Sequence, residues 1–169
     1  KHFDIDLPIC TYIQNLARQT GTNLTYCRIN APMATTISTA VSYTYKLKEI
    51  EINTPKVINA QDFFYRCFSI EIVTCPEGNF NNVTNASQMY RECAALKDFP
   101  LSYPSLKTAN AMFYACQITG EQAVAILNSI PTWTDGASHP ITLGIHIDYQ
   151  NDAEVLAAIA IADIAQTPV

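Results

Sequence analysis

Residues 47–52 read LKEIEI, and this stretch decides the fold because it is a repeat unit. The same register of apolar positions, Φ-x-x-Φ-x-Φ, returns as LTYCRI from Leu24, IEIVTC from Ile70 and LKDFPL from Leu96. Successive starts therefore lie 23, 23 and 26 residues apart. A period in this range marks a solenoid, in which each repeat buries its apolar side only against its neighbours and function is carried on a surface. The inward set is Leu24, Cys27 and Ile29; Leu47, Ile50 and Ile52; Ile70, Val73 and Cys75; Leu96, Phe99 and Leu101.

Between these strand units lies a second pattern, seen in VINAQDFFYRC, VTNASQMYREC and LKTANAMFYAC. Counted from the Ala, apolar residues fall at i, i+3, i+4 and i+7: Ala60, Phe63, Phe64 and Cys67; Ala86, Met89, Tyr90 and Cys93; Ala109, Met112, Phe113 and Cys116. That spacing predicts a short helix with one buried face, with Asn59, Asn85 and Thr108 as N-caps. One strand and one short helix per coil make a curved parallel array. The three extra residues of the longest unit fall in PEGNFNN, residues 76–82, where an insertion lengthens a surface loop and leaves the core register intact.

Solenoid ends need covers. At the start, DLPICTYIQNLARQTG predicts a capping helix with Asp6 as N-cap, Pro8 in the first turn, Ile9, Ile13 and Leu16 on one face and Gly21 as the stop. At the other end, TGEQAVAILNSI carries the capping-box pattern Thr119-x-x-Gln122 and turns Val124, Leu127 and Ile130 inward. ITLGIHI at 141–147 reads as a last strand, and Asn151-x-x-Glu154 opens a second helix. The expected division is one repeat domain over 1–169: a helical N-terminal cap at 1–20, about four repeats at 21–119, and a C-terminal cap at 120–169 with two longer helices and a last strand.

Composition narrows the partners. Forty-nine per cent of the 169 residues are apolar, enough for one continuous core. A net charge of −5 without a run of Lys or Arg argues against a nucleic-acid backbone. No apolar run of about 18 residues is present to insert in a membrane, and no signal-peptide pattern precedes the repeats. The chain begins at Lys1 and stops just after a helical run, as a processed product or a piece of a longer protein would. Among the six cysteines, Cys67, Cys93 and Cys116 occupy one equivalent place in successive units, the mark of a ladder of buried thiols. Cys27 and Cys75 read the same way, while Cys10 and Cys27 are placed to form a terminal staple. On cysteine evidence the compartment stays open.

Signatures of catalysis are missing: there is no Gly-x-Ser-x-Gly elbow, phosphate loop or Rossmann glycine fingerprint. His139, His146 and Asp148, and after them His2, Asp4 and Asp6, come nearest to metal-ligand spacing, but neither group fits a zinc or calcium pattern. No enzyme, no metal and no cofactor are expected.

With both patterns placed, the chain resembles the leucine-rich-repeat superfamily, specifically its BspA-like branch. The carriers are the Φ-x-x-Φ-x-Φ strands and the phrases NASQMYRECAAL and TANAMFYACQIT, over roughly residues 21–119. The stretch AILNSIPTWTDGASHPITLGIHIDYQNDAEVLAAIAIADIA, residues 125–165, also resembles the tail end of such arrays in surface proteins of gut bacteria and in phage tail proteins. The segment from Ala34 to Thr44 departs from the pattern, lacking the Cys and the aromatic pair. The resemblance implies an α/β fold with parallel strands on one face and short helices on the other, and an extracellular recognition role on a virion tail or a bacterial cell surface. It implies partners such as a host or cell-surface protein or glycan, or other subunits of one assembly. A structural spacer or assembly element is the alternative role.

In such a repeat the outward strand residues form the exposed sheet face: Tyr26 and Arg28, Glu49 and Glu51, Ile72 and Thr74, Asp98 and Pro100, then Gly144 and His146 if the last strand joins. Tyr26, Arg28, Glu49, Glu51, Ile72, Thr74, Asp98 and His146 are the expected ligand-binding residues. An ordinary solvated sheet face is the competing reading of the same residues. On the opposite side, Phe63, Phe64, Tyr65, Tyr90, Phe113 and Tyr114 form an aromatic column, mostly core.

Overall fold

Strict alternation of polar and apolar residues at YCRIN and EIEIN has the period of a strand, and both segments form one. In the computed structural model, which describes residues 1–19, 23–131, 141–145 and 153–162, four parallel strands make one sheet. They are β1 (His2–Asp6), β2 (Tyr26–Asn30), β3 (Glu49–Asn53) and β4 (Ile72–Thr74), hydrogen-bonded in that order. The unit at Leu96 joins them through a bridge between Ile72 and Asp98. A second line of parallel bridges runs through Tyr12, Thr36, Asn59, Asn85 and Thr108, so the chain winds as a parallel-strand solenoid with the core inside the coils. Cys27, Ile29, Ile50, Ile52, Val73 and Phe99 point into that core.

The segments expected as short helices are buried as the pattern requires, but they are not helical. Ala60, Phe63, Phe64 and Cys67 are each fully enclosed. They are buried by two consecutive four-residue turns, closed by Phe63 N to Ala60 O at 3.2 Å and Cys67 N to Phe64 O at 2.9 Å. In each turn the third residue has a left-handed backbone, Asp62 at φ 56° and Arg66 at φ 61°. The same pair of positions recurs at Asn15 and Gln19, Thr39 and Tyr43, Gln88 and Glu92, and Ala111 and Ala115.

This alternation has a consequence for hydrogen bonding. Amides of Ala60, Asp62, Phe64 and Arg66 point along the solenoid axis and donate to the carbonyls of Asn85, Ser87, Met89 and Arg91 in the next coil, at 2.8–3.0 Å. A helix would have turned those amides back on its own carbonyls. The inter-coil ladder takes them instead. Asn59 and Asn85 still accept from the amides two residues on, Gln61 and Ser87, at 3.1 Å each. This is the local bond of a cap, used here as an Asx-turn with no helix behind it.

Cys67, Cys93 and Cys116 form the expected ladder of buried thiols. Each donates to a carbonyl of the preceding coil: Cys67 to Val41, Cys93 to Phe64 and Cys116 to Tyr90, at 3.0–3.2 Å. In the coil that lacks the cysteine, Thr44 stands at the equivalent place, but its hydroxyl donates within its own coil, to Val41 O at 2.6 Å, the carbonyl that Cys67 also reaches. Burial pushes the Cys67 thiol up to about 11 and the Cys116 thiol up to about 12. All six thiols are free, and that of Cys10 donates to Tyr12 O rather than pairing with Cys27. Beside this ladder the rings of Phe64, Tyr90 and Phe113 stack nearly parallel at 5.1 and 5.3 Å, the buried part of the expected aromatic column.

The first segment departs from expectation. Described residues of 1–20 contain no helix: they form a further coil, with β1 on the sheet and left-handed Asn15 and Gln19 on the turn side. Ile9, expected to face inward, is 89 % exposed, whereas Ile13 and Ala17 are buried. The 76–82 loop also does more than extend the surface. Asn79 is buried and receives Thr54 N at 2.7 Å, and Phe80 enters the core.

The turn side of the last coil is β5 (Ala109–Ile118), and after it come α1 (Gly120–Ser129), β6 (Ile141–Ile145) and α2 (Ala153–Ala162). Helix α1 has the expected capping box, Thr119 Oγ1 accepting from Gln122 N and Gln122 Oε1 from Thr119 N. Leu127 and Ile130 are buried and Val124 partly so. Strand β6 pairs with β5 on the turn side, not with the four-stranded sheet, so Gly144 does not extend the exposed sheet face. Gly21, His139, His146, Asp148 and Asn151 lie outside the described residues.

The left-handed residues permit a test of sign. In an L-residue that conformation costs about 1–2 kcal/mol, which glycine avoids. Ala111→Gly and Ala115→Gly are expected to leave stability unchanged or raise it by up to about 1 kcal/mol in urea unfolding, whereas in a helix each would cost about that much.

Candidate functional site

Parallel strands in register place equivalent outward residues in rows across the sheet, about 4.8 Å apart. The first row is His2, Tyr26, Glu49, Ile72 and Asp98; the second is Asp4, Arg28, Glu51 and Thr74. Seven of the expected ligand-binding residues are thus brought onto one face. Tyr26, Arg28, Glu49 and Glu51 are half-buried, and Ile72, Thr74 and Asp98 are exposed. The eighth, His146, lies outside the described residues.

His2 and Asp4 also belong to this face. With Asp6 they come near metal-ligand spacing without fitting a metal pattern, and the structure makes them the outward residues of β1, with Phe3 and Ile5 packed against the core. The alternation in HFDID carries that signal. Among the described residues, no group of three or more His, Cys, Asp or Glu side chains is gathered to hold a metal ion.

Glu51 organises the centre of the face. Its carboxylate lies 3.9 Å from Arg28 Nε and close enough to Tyr26 to act on its phenol. Tyr26 and Glu51 are diagonal neighbours on adjacent strands, a separation that long side chains bridge. Hydrogen bonding to Glu51, then lost hydration and the charges of Glu51, Asp4 and Glu49, push the Tyr26 phenol up to about 12. The His2 ring rests 4.9 Å from that of Tyr26. Four carboxylates, Asp4, Glu49, Glu51 and Asp98, face one guanidinium, so the surface is acidic with an exposed Ile72 in it.

At one margin of the face, Glu71 lies between Lys97 at 2.8 Å and Lys48 at 3.9 Å. The Lys97 ammonium hydrogen bond holds its carboxyl below the usual range. At the other margin, a ladder of side-chain amides crosses the coils: Asn53 Nδ2 donates to Asn30 Oδ1 and Asn30 Nδ2 to Asp6 Oδ1, both at 2.8 Å. The next coil has Pro76 there, which has no amide to continue the ladder, and β4 has already ended at Thr74. A depression of about 300 Å³ opens at this point, lined by Arg28, Glu51, Asn53, Thr74 and Pro76 among others. It offers a guanidinium, a carboxylate, a side-chain amide and a hydroxyl within one shallow recess. Asp6, Asn30 and Asn53 follow from coil equivalence in the sequence, since each ends its strand.

Compared with protein-family models, with curated proteins and with solved structures, the chain matches none.

Control of Tyr26 by Glu51 is directly testable. In alkali near pH 10, where ordinary phenols are half ionised, Tyr26 is expected to stay protonated in the native protein, as read by NMR of ring-labelled tyrosine. Glu51→Ala should bring its ionisation part of the way down toward the ordinary phenol value, burial, Asp4 and Glu49 remaining; an unmoved Tyr26 would remove Glu51 from this role.

Proposed function

We propose that this chain is a non-enzymatic recognition module of the leucine-rich-repeat type, in the BspA-like branch, that binds a host or cell-surface protein or glycan through its exposed sheet face. The observation that carries this reading is the pair of register-matched rows centred on Tyr26, Arg28 and Glu51. Register places these polar groups side by side on rigid strands, which reduces the ordering cost of binding. Beside them Ile72, 36 % exposed, supplies an apolar contact on an otherwise polar surface. Affinity on such a face comes from a few anchors set among neutral contacts, and Tyr26, Arg28 and Ile72 are of suitable type.

The branch is supported by the 23-residue period, the Φ-x-x-Φ-x-Φ strands and the recurring Met-Tyr or Met-Phe and Cys places on the turn side. A setting outside the cell, on a bacterial surface or a phage tail, accompanies that resemblance. The turn-linked coils are its local variation: consecutive turns hold the same apolar positions that short helices would hold.

The reading is tested by presenting the intact chain to an array of host surface proteins and glycans, then repeating the measurement with Glu49→Lys and Glu51→Lys combined. Both carboxylates are half-buried outward residues, so urea unfolding of the variant is compared alongside to separate lost binding from lost stability. Binding is expected in the parent and to fall at least about tenfold in the variant. Equal binding by the variant would move the site elsewhere. A parent that binds nothing while forming a stable oligomer by light scattering would make the chain a structural spacer.

A further inference from the structure

The turn side carries a second organised surface, chemically opposite to the sheet face. Three of the four arginines in the chain, Arg18, Arg66 and Arg91, converge there with Tyr43, Tyr65 and Tyr114. Arg66 lies over the rings of Tyr43 and Tyr65, at 5.8 and 5.2 Å. Arg91 lies over Tyr65 and Tyr114, at 5.6 and 5.1 Å, and Arg18 over Tyr43 at 5.3 Å. Cations and rings therefore alternate along the solenoid axis. Next to this column stand Tyr45 and Phe68, both more than 40 % exposed, with rings 5.4 Å apart and 12° from parallel.

The geometry selects the chemistry of a ligand. Two guanidinium groups cover each of Tyr43 and Tyr65, and Tyr45 and Phe68 turn a face to one another. The column thus offers little ring face as a platform for a sugar. What it offers is the in-plane N–H edge of stacked guanidiniums, a fork that fits a carboxylate. Part of that edge is taken within the chain: Arg18 Nη1 donates to Asn15 Oδ1 at 3.2 Å and Arg91 Nη1 to Gln88 Oε1 at 2.9 Å, and one carboxylate pairing is already built in. Glu92 takes Arg66 Nε at 3.0 Å and lies 3.5 Å from Arg91 Nε, which is buried without a well-aligned hydrogen bond. Counting Asp62 and Glu92 against the three arginines, the column is net positive on a chain of charge −5.

We propose that this arginine–tyrosine column is a second binding site, for an acidic segment of a protein partner laid along the solenoid axis. Its carboxylates pair with the N–H groups that Asn15, Glu92 and Gln88 leave free on Arg18, Arg66 and Arg91, and its apolar side chains rest against Tyr45 and Phe68. The site is independent of the sheet face, so either can fail alone.

The test uses the intact chain at low salt and fluorescence anisotropy with two labelled peptides, one Glu-rich and one with Gln in place of every Glu. The Glu peptide is expected to bind and the Gln peptide to bind at least about tenfold more weakly. Arg66→Lys with Arg91→Lys keeps the charge but loses the fork, and should weaken binding by about tenfold. Glu92→Gln removes the internal competitor and should tighten it several-fold, a gain that keeps the test decisive if the lysine variants unfold. Equal binding of the two peptides, full binding by the lysine variants, or weakening in Glu92→Gln would overturn the proposal. So would an oligouronide that binds more tightly than the peptide, or a column that is closed by self-association of the chain.

Discussion

Every other feature of this molecule depends on the backbone ladder between coils. A chain that folds back on itself every 23 to 26 residues must satisfy the amides it buries, and unpaired ones are costly. On the sheet side an ordinary parallel ladder does this. On the turn side, left-handed residues at two fixed places per coil aim alternate amides at the next coil, so the ladder continues around the corner. Registration on both sides follows, and with it the vertical alignment of side chains: thiols over carbonyls, rings over rings, Asn30 over Asp6, Tyr26 beside Glu49. An insertion of three residues at 76–82 is tolerated because Asn79 and Phe80 tie the loop to Thr54 and the core before the ladder resumes at Thr84 and Asn85.

The sheet was legible in the sequence because its period of two is unmistakable in EIEIN, and the inward residues of that segment are those found inside. The turn side was legible only in part. Two abutting four-residue turns bury their first and last members, so Ala60, Phe63, Phe64 and Cys67 recur at i, i+3, i+4 and i+7, the period of a helix. Glycine or asparagine at the third turn position would have betrayed the difference. Apart from Asn15, those positions hold Gln19, Thr39, Tyr43, Asp62, Arg66, Gln88, Glu92, Ala111 and Ala115, which give no local signal. The leading segment misled although Asn15 stands at one of these positions: Ile9, Ile13 and Leu16 match a helical stripe, of which the coil buries Ile13, half-buries Leu16 and exposes Ile9.

Candidate surfaces follow the same division. Seven outward residues on strands were placed from alternation alone, and the strand HFDID extends their face by His2 and Asp4. The arginine column was not legible: Arg18, Arg66 and Arg91 stand at unremarkable polar positions, and only the stacking of coils brings them against Tyr43, Tyr65 and Tyr114. The result is a solenoid with two unlike long surfaces, an acidic one on the strands and a cationic, aromatic one on the turns. Residues that hold the fold and residues that define each surface alternate along the same short segments, so a surface can change without disturbing the core.

The inter-coil ladder is tested most directly by scalar couplings transmitted through hydrogen bonds in an isotope-labelled sample. The expected result is that the Phe64 amide couples to the Met89 carbonyl, and the Tyr90 amide to the Met112 carbonyl, each in the following coil. Coupling of the Phe64 amide to the carbonyl of Ala60, four residues back, would mean a helix in that segment and would contradict the turn-linked solenoid.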